Sequence, residues 1–191
     1  MRVEEFNKFR LVGGTALSLQ LGHRISVDID LFTDENYRTI DFGKIAELLE
    51  KKYGKIHQNH LEIIGNGKSF SLKHDSKDAL KVDVYYTDPF VFPMIETDGI
   101  RMASLEEISA MKLEILLNGG RKKDFWDLHE LLERFTFKEM ISFHSKRYYS
   151  DETYNHWKSC LHNFTKADLD ADPECLRGKF WDLIKLDLLE I

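Results

Sequence analysis

The spacing of hydrophobic residues changes twice along the chain. The first third alternates short apolar runs with glycines, residues 56–86 carry β-branched and aromatic side chains, and beyond Ser104 apolar residues recur every three or four positions. This predicts an α/β half, residues 1–103, followed by a helical half, residues 104–191, packed together without a linker. Residues 9–12 form a largely apolar run that stops at Gly13-Gly14, and residues 15–21 (TALSLQL) suit a helix. Residues 27–32 (VDIDLF) and 80–86 (LKVDVYY) alternate with period two, as strands with two unlike faces do. Between them, Asp41 suits the N-cap of a helix carrying Phe42, Ile45, Leu48 and Leu49 on one stripe. Gly65-Asn66-Gly67 is a hairpin signal and His74-Asp75-Ser76 a second break. Ser104 and Glu107 read as a capping box opening a helix that ends at Asn118-Gly119-Gly120. Stripes at Phe125, Leu128, Leu131 and Leu132, at Met140, Ile141 and Phe143, around Tyr154, Trp157 and Leu161, and across residues 176–189 predict further helices.

Composition narrows the class. The 191 residues are 42% hydrophobic and 12% aromatic with three Pro, which excludes disorder and collagen-like repetition. Thirty-three acids against 27 bases give a net charge of −6 and exclude a uniformly basic nucleic-acid coat. Seven of those acids, against three bases, fall in residues 168–191, so local RNA binding elsewhere stays open. Cys160 and Cys175 are too few for a disulfide framework and read as reduced thiols. The start, Met1-Arg-Val-Glu-Glu, lacks the apolar run of a signal peptide, and no stretch approaches the roughly 20 apolar residues of a membrane span. The expectation is a soluble, cytoplasmic protein.

The candidate chemistry lies in Gly13-Gly14-Thr15 followed by Asp28-Ile29-Asp30. Acids at i and i+2 on a strand share a face and can hold one hard cation or bridge two. A glycine pair opening a helix offers backbone N–H groups and a positive helix end to a triphosphate. Asp83, on a later strand between Val82 and Val84, supplies a third carboxylate. Three acids around two Mg2+ ions suit nucleotidyl transfer, in which one ion activates the attacking hydroxyl and the other holds the pyrophosphate. Taken singly, each feature has an ordinary reading as a turn or a solvent-facing strand residue; their order favours the functional one. Lys138, Lys146, Arg147 and Lys158, interleaved with Phe143, Tyr148, Tyr149, Tyr154 and Trp157, mix charge and aromatic faces, which suits either amphipathic helices or an RNA grip.

Gly13-Gly14-Thr15-Ala16-Leu17, Arg24-x-Ser26-x-Asp28-Ile29-Asp30-Leu31-Phe32, Asp83, Lys112 and Lys123-Asp124-Phe125-Trp126-Asp127-Leu128 together resemble the signature of the AbiEii/AbiGii (MenT-like) nucleotidyltransferase toxins, a branch of the DNA polymerase β-type superfamily. The resemblance spans residues 13–128. It implies a polymerase β-type α/β fold, with a mixed sheet flanked by helices and a C-terminal helical subdomain. It also implies that Asp28, Asp30 and Asp83 bind Mg2+ (or Mn2+), with Asp83 also orienting or deprotonating the acceptor. Gly13, Gly14 and Thr15 would cradle the β and γ phosphates of an NTP, and Lys112 would neutralise phosphate charge as part of the catalytic set. Asp124 and Asp127 would position that lysine or contact the nucleotide, with Arg24, Ser26 and Lys123 completing the nucleotide site. The implied acceptor is RNA such as a tRNA 3′ end, and the implied partner a cognate antitoxin, with no membrane involved. Two other readings are transfer to a small molecule such as an aminoglycoside, or to a protein, and a non-catalytic nucleotide-binding module. Retention of all three carboxylates argues against the last.

Overall fold

The computed structural model describes residues 1–54, 56–58, 66–73 and 79–191. They fall into two compact units: residues 1–16 with 27–103, and residues 17–26 with 104–191. Residues 17–26 cluster with the helical unit although they lie early in the chain.

The first unit is built on a sheet. Its strands are β1 (Arg10–Val12), β2 (Ile29–Thr33), β3 (Ile56–Gln58), β4 (Gly67–Lys73), β5 (Ala79–Tyr86), β6 (Met94–Thr97) and β7 (Ile100–Ala103). Among the described residues they form one sheet in the order β3-β4-β5-β2-β1-β7-β6. The sheet is mixed: β2 runs parallel to β5 and β1 to β7, and the other neighbours are antiparallel. Between the first two strands the chain forms helix α1 (Gly13–Leu21), and after β2 comes α2 (Phe42–Tyr53). Asp41 caps α2 as expected, its Oδ1 accepting the N–H groups of Gly43 and Lys44 at 3.0 and 3.1 Å. Ile45, Ala46 and Leu49 are buried, while Phe42 and Leu48 are half-buried at the edge of that stripe. On β5, Val82 and Val84 point into the core and Asp83 to the opposite face, as period two requires.

Two expected breaks fall, in whole or part, outside the described residues: His74-Asp75-Ser76, and Gly65 of the Gly-Asn-Gly signal. The strands on either side of each pair antiparallel. The β6–β7 hairpin was not anticipated from apolar spacing, because residues 94–103 carry little alternation; its signal is the Asp98-Gly99 turn, both residues at positive φ.

The second unit contains α3 (Leu105–Leu117), α4 (Lys122–Leu132), α5 (Phe137–Tyr148), α6 (Tyr154–Leu161) and α7 (Trp181–Leu189). Ser104 Oγ caps α3 by accepting the Glu107 N–H, while the Glu107 carboxylate is buried against Arg147 of α5. Arg147 and Trp157 are thus core residues, outside any RNA-facing set. Helix α7 starts five residues later than the apolar stripe suggested. Residues 174–176 instead pair with residues 23–25 through Ile25 N–H to Glu174 O and Leu176 N–H to His23 O, each at 2.9 Å, which diverts their backbone from a helix.

Asp41→Ala removes the acceptor of two N–H groups at the start of α2. Chemical denaturation should show a loss of about 1 kcal/mol, with the circular-dichroism spectrum of the folded protein unchanged.

Candidate active site

In the first unit the parallel register of β2 and β5 sets Asp30 directly beside Asp83. Across an antiparallel pair, Val12 of β1 is opposite Asp30, so the chain turns into α1 at the edge of the same carboxylate. Gly13 is at φ +66°, and a Cβ there would lie 2.8 Å from Asp30 Oδ2. Glycine is therefore required twice over, by backbone conformation and by contact. The N-terminal turn of α1, the positive end of its dipole, adjoins the carboxylates. Thr15 Oγ1 donates to the backbone carbonyl of Asp28, tying that turn to the approach of β2. Asp28 itself precedes β2 by one residue.

Lys81, two residues before Asp83 on β5, was not singled out from sequence. Its Nζ lies 2.6 Å from Asp83 Oδ2. The hydrogen bond to Asp83 raises the Lys81 pKa above its ordinary 10.5 against partial desolvation, and the charges of Asp83, Asp30 and Asp28 add to the rise. One ammonium thus sits in the field of all three acids. Asp83 Oδ1 is buried with no hydrogen-bond partner. An orphaned carboxylate oxygen beside two further acids fits a hard divalent cation, and Asp28, Asp30 and Asp83 are the residues that would hold it. Another acidic group, His129 and Glu130 of α4 with its C-cap Glu133, has donor atoms within 4.8 Å of one another. Its charge is already met, with Lys179 Nζ at 2.8 Å from Glu130 and 2.6 Å from Glu133, and Arg177 on Glu130 at 2.5 Å.

The remaining residues implied by the resemblance lie in the second unit, and most form one buried cluster. Asp127 of α4 accepts from Arg24 through both oxygens, at 2.7 and 2.8 Å, and contacts His23 Nε2 at 2.8 Å. Lys112 Nζ of α3 bridges Asp127 and Asp124 at 2.6 and 2.7 Å, and Asp124 also accepts the Arg121 N–H at 3.0 Å. Lys112 is 3% exposed and both acids 0%, so its charge is matched inside this unit. Burial alone would lower the Lys112 pKa; Asp127 and Asp124 reverse this and raise it. Burial would likewise raise the Asp127 carboxyl, but Lys112, His23 and Arg24 hold it far below its ordinary 3.8. Ser26 and Lys123 are half-buried, outside the cluster.

Carboxylates paired across neighbouring strands can hold hard cations, and an adjoining helix N-terminus favours an anion, an arrangement suited to a metal–triphosphate complex. Comparison with known proteins supplies the class. Residues 1–181 match the family described as the nucleotidyl transferase AbiEii toxin of type IV toxin–antitoxin systems, and the chain belongs to that family. It is a nucleotidyltransferase, and membership implies an NTP substrate and an antitoxin partner. An uncharacterized protein of Aquifex aeolicus is 30% identical over 152 residues, covering 74% of this chain and 67% of its own. Two solved structures share the fold. A candidate nucleotidyltransferase from H. pylori has a TM-score of 0.62 at 20% identity, covering 97% of this chain and 85% of that one. The nucleotidyltransferase toxin MenT4 of Mycobacterium tuberculosis has a TM-score of 0.58 at 14% identity, covering 96% and 74%. Among the described residues no helix is long and apolar enough to cross a membrane.

Asp127→Asn leaves Arg24 and Lys112 buried without their shared counter-charge. Thermal melting at pH 7 should fall by on the order of 10 °C. Because the folded pKa of Asp127 lies below the unfolded one, its contribution is complete above about pH 4 and is lost as pH falls through the folded value. Acid titration of stability should therefore be shallower in the variant than in the wild type; equal slopes would contradict the assignment.

Proposed function

We propose that this enzyme transfers a nucleoside monophosphate from an NTP to a hydroxyl of RNA, such as a tRNA 3′ end, with Mg2+ (or Mn2+) held by Asp28, Asp30 and Asp83. The observation that carries the reading is the Asp30–Asp83 pair set against the glycine-opened end of α1. The divalent ions would supply Lewis acidity toward the phosphates and the acceptor. The chain's own groups do the rest. N–H groups at Gly13, Gly14 and Thr15 take the β and γ phosphates, and the neighbouring helix end favours their charge. The acceptor oxygen forms its bond to the α-phosphorus as the bond to pyrophosphate breaks, and the hydroxyl proton passes to the Asp83 carboxylate. As a toxin, the enzyme would arrest growth by blocking RNA ends in the cytoplasm until its antitoxin intervenes. An acceptor of another kind, a small molecule or a protein side chain, would use the same carboxylates.

Purified protein incubated with α-labelled NTPs, Mg2+ and total tRNA should yield labelled RNA, and Asp28→Ala or Asp83→Ala should abolish the label. Gly13→Ala, which drives a methyl group onto Asp30, should slow transfer about 100-fold. Label appearing on a small molecule or protein instead would overturn the RNA reading, and undiminished transfer by Asp83→Ala would overturn the site.

A further inference from the structure

The carboxylate face extends one strand beyond Asp83. Ser69 of β4 is the direct cross-strand partner of Asp83, so Asp30, Asp83 and Ser69 form a row across three adjacent strands, with Gly13, which follows Val12 of β1, against Asp30 at its end. Tyr85, two residues after Asp83, shares that face. Its ring packs edge-on against Phe32 at 6.3 Å and lies across β4 at Gly67, where a Cβ would come within 2.6 Å of Tyr85 Cδ1. The β5 backbone at Val84 O and Tyr85 Cα lies closer than a side chain at Gly67 would allow, and the Tyr85 hydroxyl is 2.9 Å from Ser69 Oγ. Both residues are half-buried, leaving the pair open to a ligand.

The row has a direction. In-line displacement at phosphorus needs the attacking and leaving oxygens on opposite sides. With the β and γ phosphates at the Gly13 end, the leaving group points toward β1 and the acceptor comes from the β5–β4 side. There it meets Asp83 first and the Ser69–Tyr85 pair next. These two neutral hydroxyls carry unused donor and acceptor capacity after their mutual bond, which suits a sugar hydroxyl better than a phosphate.

We propose that Ser69 binds the acceptor's 2′-hydroxyl, vicinal to the attacking 3′-hydroxyl, and that Tyr85 is a positioning residue holding Ser69 in place, so that the enzyme selects ribose-terminated over deoxyribose-terminated acceptors. The inference rests on the RNA-acceptor reading and adds the basis of its specificity.

The test uses two acceptors, an RNA ending in a ribonucleotide and the same RNA with a terminal 2′-deoxynucleotide, compared by kcat/KM for wild type, Ser69→Ala, Ser69→Thr and Tyr85→Phe. Wild type should prefer the ribose end by about 10-fold, the value of one hydrogen bond. Ser69→Ala should bring the ratio near one, Tyr85→Phe should lower it, and Ser69→Thr, which restores a hydroxyl, should keep it. A loss of folding would reduce both acceptors alike and leave the ratio unchanged. Wild-type transfer with no ribose preference, or a preference untouched in Ser69→Ala, overturns this inference while leaving the RNA reading intact. Wild type that labels neither RNA, but does label a small molecule or protein, overturns both.

Discussion

The register between β2 and β5 is the constraint on which the rest of the site depends. Asp30 and Asp83 face each other across a parallel ladder, an arrangement that like charges resist. Val82 and Val84, both buried, lock it: a slip of one residue would turn Asp83 into the core and expose both valines. The repulsion is met locally, by the positive end of α1 against Asp30 and the Lys81 ammonium against Asp83. The sheet thus gathers negative charge at Asp30 and Asp83 that the Lys81 ammonium partly offsets.

The helical unit solves a different problem with similar residue types. Its buried cluster ties residues 17–26, which follow directly from the first turn of α1, to α3 and α4 through Arg24, Asp127 and Lys112. The desolvation of four to five charged groups is offset because each is paired more than once, with Arg24 bidentate on Asp127 and Lys112 shared between two acids. Asp83 leaves its Oδ1 without a hydrogen-bond partner, whereas Asp124 and Asp127 have both oxygens paired.

Much of this was legible in the chain. The period-two runs around Asp30 and Asp83 marked two strands and their faces, although β2 begins at Ile29 and leaves Asp28 just before it, and Asp41 and Ser104 marked helix starts that the hydrogen bonds bear out. Long-range pairing was not legible. Lys112 has no acid at helical spacing in its own helix, and its two partners lie on α4. Lys81, Ser69 and Tyr85 look ordinary along the sequence and gain meaning only from the register that sets them around Asp83. Residues 176–180 carry a helical apolar pattern, yet the pairing of residues 174–176 with residues 23–25 overrides it.

The central claim is that Asp28, Asp30 and Asp83 form the cation site that engages the triphosphate. Anomalous diffraction from crystals soaked with Mn2+ and an NTP analogue that cannot be cleaved between its α and β phosphates tests it most directly. The account predicts Mn2+ peaks among these three carboxylates, with the analogue's phosphates at the N-terminus of α1. Mn2+ bound only at His129, Glu130 and Glu133, with none at Asp30 and Asp83, would contradict it.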